Sequence, residues 1–227
     1  MSQLPSFRDR TLLQRALTHR SYANEHQSIG EHNERLEFLG DAILNFLSGE
    51  FLYRRYPTKP EGELTPLRSA LVDERQLAQF ARSLNLGSLM QLGKGAEQEG
   101  GRQNPNLLSS TFEAVVGAYF LDTADIQAVR AFVEPLFEEV VDTLIGAIAE
   151  VNFKSRFQEW ALATFGENPK YLIVSQSGPD HAREFVAEVW VKHQKFGEGK
   201  GRRKQDAEKR AAADALARIK EEEEKEE

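Results

Sequence analysis

Residues 32–41 read His32-Asn33-Glu34-Arg35-Leu36-Glu37-Phe38-Leu39-Gly40-Asp41, and this stretch guides the interpretation of the whole chain. The three acids are spaced i, i+3 and i+7. On a helix that turns ~100° per residue, they fall within roughly 60° of one another. The residues around them are mostly apolar, with no lysine beside the stripe. Because the helix is apolar nearly all round, we expect it to be buried.

Buried carboxylates are costly unless they are protonated, paired or bound to a metal. A hard divalent cation such as Mg²⁺ is the natural partner because it prefers oxygen ligands. The alternative is a solvated acidic face, which this spacing alone indicates more often. The residues by themselves leave both interpretations open.

Length and composition set the class of protein. A chain of 227 residues can bury one good core or two small ones. The sequence has no cysteine, which excludes disulfides and thiolate chemistry. It also lacks a run of ~20 apolar residues and the features of a secretory signal near its start, so we expect a cytoplasmic protein without a membrane partner.

The net charge of −7 is unevenly distributed. Residues 181–220 carry 11 Lys and Arg against six Asp and Glu, whereas residues 221–227 carry six Glu and one Lys. A basic segment within an acidic chain predicts phosphate contacts there.

The hydrophobic pattern predicts an all-helical part followed by a mixed one. Helices are expected over 8–19, 33–56, 65–82, 107–121 and 125–148, with a mobile loop over 93–105. Thr65 and Pro66 are expected to open the third of these helices. From about Val151, a helix over 153–165, three strands and a closing helix over 205–220 give an α-β-β-β-α order. The fold class is therefore mainly α plus α+β, with domains at 1–149 and 150–220 and an acidic tail at 221–227.

Three stretches together resemble the ribonuclease III family, whose members cut double-stranded RNA. They are His32–Leu44, Ala16–Tyr22 and Asn104–Ala118, and the resemblance extends from about Phe7 to about Leu216. It implies an all-helical catalytic and dimerisation domain, followed by a double-stranded-RNA-binding domain.

The resemblance also implies roles for the acids. Glu37, Asp41 and Glu113 are expected to bind Mg²⁺, with Mn²⁺ able to substitute. Glu34 and Glu61 match further family acids that support catalysis and assembly across a dimer. On sequence grounds alone, Glu61 fits an ordinary loop acid equally well.

The expected reaction is attack of metal-activated water on a phosphodiester, which leaves 5′-phosphate and 3′-hydroxyl ends, in rRNA and mRNA processing. Neither His19 nor His32 is placed like a general base.

One position departs from the family pattern. Ser110 stands where an acid is common, three residues before Glu113. A serine adds no charge, so metal affinity is expected to fall. The alternative function is therefore a double-stranded-RNA-binding protein with weak or no cleavage. A further alternative is a processing enzyme restricted to one structured RNA.

The C-terminal part resembles a double-stranded-RNA-binding domain. This implies that Gln158 and His181 reach minor grooves and that Lys204 contacts the phosphates between them. Arg202, Arg203 and Lys154 are further RNA-binding candidates. Considered singly, His181 fits an exposed loop histidine, and the triplet 202–204 fits a solvated basic turn. The family commonly has serine at Arg203 and lysine at Gln205.

The resemblance also implies products with a short 3′ overhang, which requires two active sites across a minor groove, so a homodimer is expected. Its interface candidates are Phe38, Leu39, Phe46 and Leu71, each of which fits an intrachain core equally well. The aromatic residues Phe157, Trp160, Tyr171 and Trp190 are expected in the core of the second domain.

Overall fold

A computed structural model describes residues 3–26, 30–179 and 183–226, except the side chains at 149–152 and 224–226. The chain divides into two compact units, Met1–Leu144 and Ile145–Glu227. The order of elements is α1 (Arg10–Ala16), α2 (Arg20–Glu25), α3 (Glu34–Arg55), α4 (Glu61–Leu71), α5 (Glu74–Ser83), α6 (Leu86–Leu89), α7 (Lys94–Gln98), α8 (Pro105–Thr123), α9 (Ile126–Phe165), β1 (Lys170–Ser177), β2 (Glu184–Val191), β3 (Gln194–Gly201) and α10 (Lys204–Glu226). No helix in the described ranges is long and apolar enough to cross a bilayer.

The first unit is built around the close packing of α3 against α8. A Cβ atom added to Gly40 of α3 would lie 1.8 Å from the carbonyl oxygen of Glu113. A Cβ on Gly117 of α8 would lie 2.2 Å from the carbonyl oxygen of Leu36. The two backbones are therefore in contact, which only glycine permits at these positions. Helix α8 also packs on α1 and α5, so it is the central helix of the unit.

Helix α3 is buried on one side only, so the expectation of burial all round is wrong. Leu36, Ile43 and Leu47 face the core, as the helical spacing predicts. On the other side, the exposed fraction is 80% for Phe38 and 58% for Phe46. An apolar sequence does not by itself fix burial, because an apolar face also serves to bind partners.

The predicted helix over 65–82 is wrong at its start and in its continuity. Helix α4 begins at Glu61 and contains Pro66, and its N-cap is Pro60 rather than Thr65. The chain then breaks at Val72, and Asp73 caps α5 by accepting from the backbone N–H of Gln76 at 2.7 Å. Pro66 lies inside α4, at its sixth residue, where it removes one backbone hydrogen-bond donor from the helix.

Other element boundaries also differ from the sequence predictions. The helix expected over 8–19 is two, α1 and α2, while those expected over 125–148 and 153–165 form one helix, α9. The predicted mobile loop over 93–105 contains α7 and a 3-10 turn over Gly101–Gln103. This segment is held by Arg102, whose Nη1 donates to the carbonyl oxygens of Gly87 and Met90 at 2.9 Å each.

The second unit has an antiparallel sheet in the order β1-β2-β3, as predicted. Its core includes Phe157 and the alanines of α10. Inward-facing glycines of β3 let α10 lie directly on the strand, since a Cβ on Gly199 would lie 2.2 Å from the backbone nitrogen of Ala211. Trp160 and Tyr171 pack partly buried against this core. The core assignment of Trp190 is wrong, because alternation along β2 turns it to the other face, where its Nε1 donates to Glu188 at 3.0 Å.

The variant Gly40→Ala should destabilise the first unit by about 3 kcal/mol or more, because the added methyl group overlaps backbone that cannot move aside. Urea denaturation of the full chain, followed by circular dichroism, measures this change. Gly62→Ala is the matched control, since nothing lies within 4 Å of a Cβ added there, and it should be neutral or slightly stabilising. Equal midpoints for the two variants would contradict the close packing of α3 and α8.

Candidate functional site

A pocket of about 740 Å³ opens in the first unit, between α3, α8 and the segment around α7. The acidic residues that line it are Glu34, Glu37, Asp41, Glu99 and Glu113. Its other lining residues are His19, Arg20, Asn33, Phe38, Ala96, Gly101, Asn104, Asn106, Leu107 and Ser110. The structure thus brings together four of the five acids predicted from the sequence.

The acids of α3 and Glu113 of α8 meet because the two helices are in backbone contact. Glu37 and Asp41 lie on one side of α3, and Gly40 between them touches the carbonyl of Glu113. Helix α8 is positioned at its start by Asn104, whose side chain accepts from the backbone N–H groups of Asn106 and Leu107. Pro105 follows at the first helical position, where no backbone donor is needed.

Glu113 is the acid of this pocket whose pKa is strongly raised. Burial raises the pKa of its carboxyl to about 8, and the nearby charges of Asp41 and Glu37 add to the rise. These are the effects expected for a half-buried acid surrounded by like charges. Asp41 is partly compensated, since its Oδ1 accepts from Asn45 Nδ2 at 2.9 Å.

Glu34 lies at a more exposed part of the pocket and is partly neutralised. Its Oε1 is 3.4 Å from Nη1 of Arg20, and its Oε2 is 3.9 Å from Nδ1 of His32. Glu61 does not line the pocket within this chain. It is exposed at the first residue of α4, where its Oε1 accepts from Thr65 Oγ1 at 2.8 Å.

Several pocket residues were not predicted from the sequence as site residues. They include His19, Asn33 and Glu99. Ser110, the position where the family commonly has an acid, also lines the pocket, one turn before Glu113. The signal that could have found His19 is the upstream stretch Ala16–Tyr22, which was noted only as part of the resemblance. Glu99 lies in the segment predicted as a loop, where sequence alone gives no direction for a side chain.

The carboxylates of the pocket, as the structure describes them, do not form a complete metal-binding site. In the described ranges, no three His, Asp or Glu side chains lie close enough to hold one metal ion as they stand. The pocket therefore contains several carboxylates close to one another. Together with burial, the charges of Asp41 and Glu37 raise the pKa of Glu113.

The second unit carries the basic candidates on the surface near the start of α10. Arg202, Arg203 and Lys204 are exposed, and Lys204 is the first residue of α10. Lys154 of α9 reaches the same helix, since its Nζ lies 2.8 Å from Glu208 Oε2 and 4.3 Å from the centre of the Tyr171 ring. The RNA-binding role of Lys154 stays a prediction.

Gln158 is exposed, and its Nε2 donates to Asn168 Oδ1 at 3.0 Å. His181 lies outside the described residues, so its RNA-binding role stays a prediction. Helix α10 continues to Glu226, into the segment predicted as an acidic tail.

Comparisons with known proteins agree with this architecture. Residues 9–140 match the model of a ribonuclease-III-like domain, and residues 153–219 match that of the double-stranded RNA binding motif. The chain is 59% identical to "Ribonuclease 3 1" of Nostoc sp. over 96% of this chain and 97% of that protein. It is 44% identical to Ribonuclease 3 of Bdellovibrio bacteriovorus over 92% of this chain and 90% of that protein.

Solved structures show the same relationship. The nuclease domain of a ribonuclease III from Campylobacter jejuni matches with a TM-score of 0.55 at 40% identity, covering 59% of this chain and 90% of that one. A Dicer structure from Pichia stipitis matches with a TM-score of 0.52 at 29% identity, covering 95% of this chain and 96% of that one. The helical unit with its acidic pocket, the α-β-β-β-α unit and these similarities lead to one conclusion, that the chain belongs to the ribonuclease III family.

Proposed function

We propose that this enzyme hydrolyses phosphodiester bonds of double-stranded RNA with the help of Mg²⁺, for which Mn²⁺ is able to substitute. The observation that carries the proposal is the meeting of Glu37, Asp41 and Glu113 in one pocket of a ribonuclease-III-like unit. Water attacks the phosphorus atom, the bond from phosphorus to the 3′ oxygen breaks, and that oxygen takes up a proton. The products then carry 5′-phosphate and 3′-hydroxyl ends.

The residues of the pocket fit a divalent cation. Mg²⁺ is usually held by one or two protein carboxylates, with waters and substrate phosphates completing its octahedral shell. A site with fewer than three preformed ligands is therefore compatible with this ion. The pKa of Glu113 is raised by burial and by the charges of Asp41 and Glu37, and a bound cation would favour its deprotonated form.

Within the proposed mechanism, Glu37, Asp41 and Glu113 hold the cation, and the wall around them confines the scissile phosphate. When bound, Mg²⁺ supplies Lewis acidity that lowers the pKa of water and offsets charge on the phosphate. Without a cation, the carboxylates repel the phosphodiester. Glu113 must be deprotonated to act as a ligand, so loss of its proton accompanies the formation of the active site.

The second unit is proposed to hold the duplex. Arg202, Arg203 and Lys204 offer exposed positive charge at the start of α10, where backbone N–H groups also favour phosphate. Such modules recognise the A-form shape and the 2′-hydroxyls of RNA rather than its sequence. Gln158 and the predicted residue His181 are proposed to contact the minor grooves. A cytoplasmic location and a role in rRNA and mRNA processing stay predictions from the sequence.

We also propose that two copies of the chain pair through the exposed apolar side of α3. Phe38 borders a second pocket of about 520 Å³, whose lining includes Leu39 and Leu121. The same pocket is also lined by the charged residues Arg15, Glu34 and Arg35. An 80% exposed phenylalanine beside such a partly apolar pocket is typical of an interface rather than of a free surface. The nuclease domain from Campylobacter jejuni has a region involved in dimer formation, which supports pairing of this unit too. Leu71 is fully buried in its own chain and is therefore not part of such an interface.

Ser110 keeps the weak-cleavage alternative open. Its side chain lines the acidic pocket, so an acid at this position would add a carboxylate to the site. With serine, the pocket still contains Glu34, Glu37, Asp41 and Glu113. We therefore propose an active enzyme that needs more Mg²⁺ than one with an acid at this position.

Glu37→Gln and Glu113→Gln should lose cleavage of duplex RNA by about 100-fold or more while keeping RNA affinity, because they remove proposed cation ligands and leave the second unit unchanged. Cleavage is measured on gels and affinity by fluorescence anisotropy. Glu139→Gln, an exposed acid on α9, is the control and should cleave normally. Full cleavage by both pocket variants would refute these assignments.

The pH dependence of stability should reveal Glu113. Its pKa is about 8 when folded and is taken near its ordinary 4.5 when unfolded, so the folded state binds the proton more tightly. The resulting stabilisation is present below about pH 4.5 and is lost as the pH rises to about 8. Wild-type Tm in EDTA should therefore fall, relative to Glu113→Gln, between pH 5 and pH 8. Adding Mg²⁺ should restore the Tm of the wild type but not that of Glu113→Gln. A difference in Tm between the two proteins that stays constant from pH 5 to pH 8 would contradict the raised pKa.

Ser110→Asp should lower the Mg²⁺ concentration that gives half-maximal cleavage by roughly tenfold, because it adds a negative charge beside the proposed cation site. Ser110→Asn is the matched control, since it has the shape of Asp without the charge. A titration of the initial rate against Mg²⁺ measures the effect. The same Mg²⁺ dependence for both variants would show that Ser110 has no influence on the cation.

Phe38→Asp should convert a dimer into a monomer, because the new charge would have to be buried in the proposed interface. Sedimentation velocity at micromolar concentration distinguishes the two states. Leu172→Asp, which changes a 51% exposed leucine on β1, is the control and should leave the dimer intact. A Phe38→Asp variant that still sediments as a dimer would place the interface elsewhere.

A further inference from the structure

His19 lines the acidic pocket as an uncharged hydrogen-bond donor. It is the N-cap of α2, and its Nδ1 accepts from the backbone N–H of Ser21 at 3.3 Å. Ser21 Oγ lies 2.8 Å from the same Nδ1 and accepts from the backbone N–H of Gly93 at 2.9 Å. The hydroxyl proton of Ser21 is then directed at Nδ1. An imidazole whose Nδ1 accepts carries its own proton on Nε2.

The surroundings of His19 agree with this neutral form. Burial and the positive charge of Arg20 lower the pKa of His19, with a smaller lowering by His32, while Glu34 opposes them. Across the described part of the chain, no hydrogen bond is made by Nε2. His19 therefore offers a free N–H group to whatever occupies the pocket.

Asn33 provides an unpaired polar group in the same pocket. It stands at the N-cap of α3, where asparagine normally caps the helix, yet its side chain makes no such bond. The residue is only 2% exposed, and its Oδ1 is buried without a hydrogen-bond partner among the described residues. Its backbone N–H donates to the carbonyl of Thr18 at 2.9 Å, which ties it next to the segment that carries His19.

We propose that His19 and Asn33 form a subsite for a ribose 2′-hydroxyl group of the RNA strand in the pocket, an inference that rests on the proposed function. A hydroxyl both accepts and donates, so it can accept from His19 Nε2–H and donate to Asn33 Oδ1. Asn33 Oδ1 is buried as the structure places it, so this contact requires the amide to turn over and exchange its oxygen and nitrogen, which the soft terminal torsion permits.

A phosphate oxygen fits this pair less well. It only accepts, so it would leave the oxygen of Asn33 without a donor. The positive group of the pocket wall is Arg20, which is the better partner for phosphate. A hydroxyl subsite also distinguishes RNA from DNA within the nuclease unit itself, because the 2′-hydroxyl is the group that DNA lacks.

The test measures how removing one 2′-hydroxyl group from the RNA changes the cleavage rate of the wild type and of each variant. Wild-type enzyme and variants cleave short RNA duplexes that carry one 2′-deoxy nucleotide, moved through the positions around the cut. Wild type should slow by roughly 3- to 10-fold at one position, as expected for one neutral hydrogen-bonded group. His19→Asn keeps an N-cap side chain but lacks the Nε2–H group, and Asn33→Ala removes the amide. Both should slow on all-ribose RNA and lose sensitivity at that position.

Two controls separate this role from a structural one. Asn106→Ala, a pocket residue outside the pair, should keep the wild-type sensitivity to the deoxy substitution. Asn33→Ala should lower the Tm by no more than a small buried cavity does, because the side chain makes no hydrogen bond within the described part of the folded chain. A Tm lowered well beyond that would assign Asn33 to the fold and overturn its place in the subsite.

The outcomes also separate this inference from the proposed function. Wild type that cleaves all-ribose RNA but responds to no deoxy position would overturn the subsite alone. Variants that slow yet keep the wild-type deoxy sensitivity would assign the pair to another group, such as a phosphate oxygen, and overturn it as well. Wild type that leaves all-ribose duplex uncut in Mg²⁺ would overturn the proposed function and the subsite with it.

Discussion

The backbone contact between α3 and α8 is the constraint on which the site depends. Gly40 lies against the carbonyl of Glu113, and Gly117 lies against the carbonyl of Leu36. A side chain at either glycine would push the helices apart and would separate Glu113 from Glu37 and Asp41. The same contact buries the apolar face of α3, so the fold and the acidic pocket rest on one feature.

The electrostatics of the chain follow from this packing. Glu34 has Arg20 and His32 beside it, and Asp41 has Asn45, but Glu113 is held in a half-buried position with like charges as neighbours. Such a site is unfavourable by itself, and in the proposed function a divalent cation offsets the charge of the carboxylates so that an anionic substrate is able to approach. The second unit carries a group of exposed basic residues, Arg202, Arg203 and Lys204, at the start of α10. In the proposed function, phosphate binding by these residues and cleavage in the acidic pocket are divided between the two units of the chain.

Much of this arrangement was predictable from the sequence. The spacing of Glu34, Glu37 and Asp41 placed them on one side of a helix, and resemblance to the family connected them with Glu113. The strand and helix order of the second unit followed from alternation along residues 184–191 and from the alanine-rich last helix.

Glycine spacing, in contrast, did not reveal that α3 and α8 touch, because a close contact depends on two residues that are distant in sequence. The start of α4 was placed too late because proline is commonest at the first helical position, whereas Pro66 lies inside α4. The sequence left two assignments for Phe38, the intrachain core and a dimer interface, since it does not show which side of α3 meets solvent. His19 and Asn33 were missed because the sequence cannot show an unpaired polar atom: that requires knowing every neighbour.

The central claim is that this pocket cleaves duplex RNA only with a divalent cation. The most direct measurement incubates long, perfectly paired RNA with purified protein in Mg²⁺ and, in parallel, in EDTA, and resolves the products on a gel. We predict shortening to small duplexes in Mg²⁺ and intact RNA in EDTA. RNA that is bound and retarded but uncut in Mg²⁺, or cut equally well in EDTA, would contradict the claim.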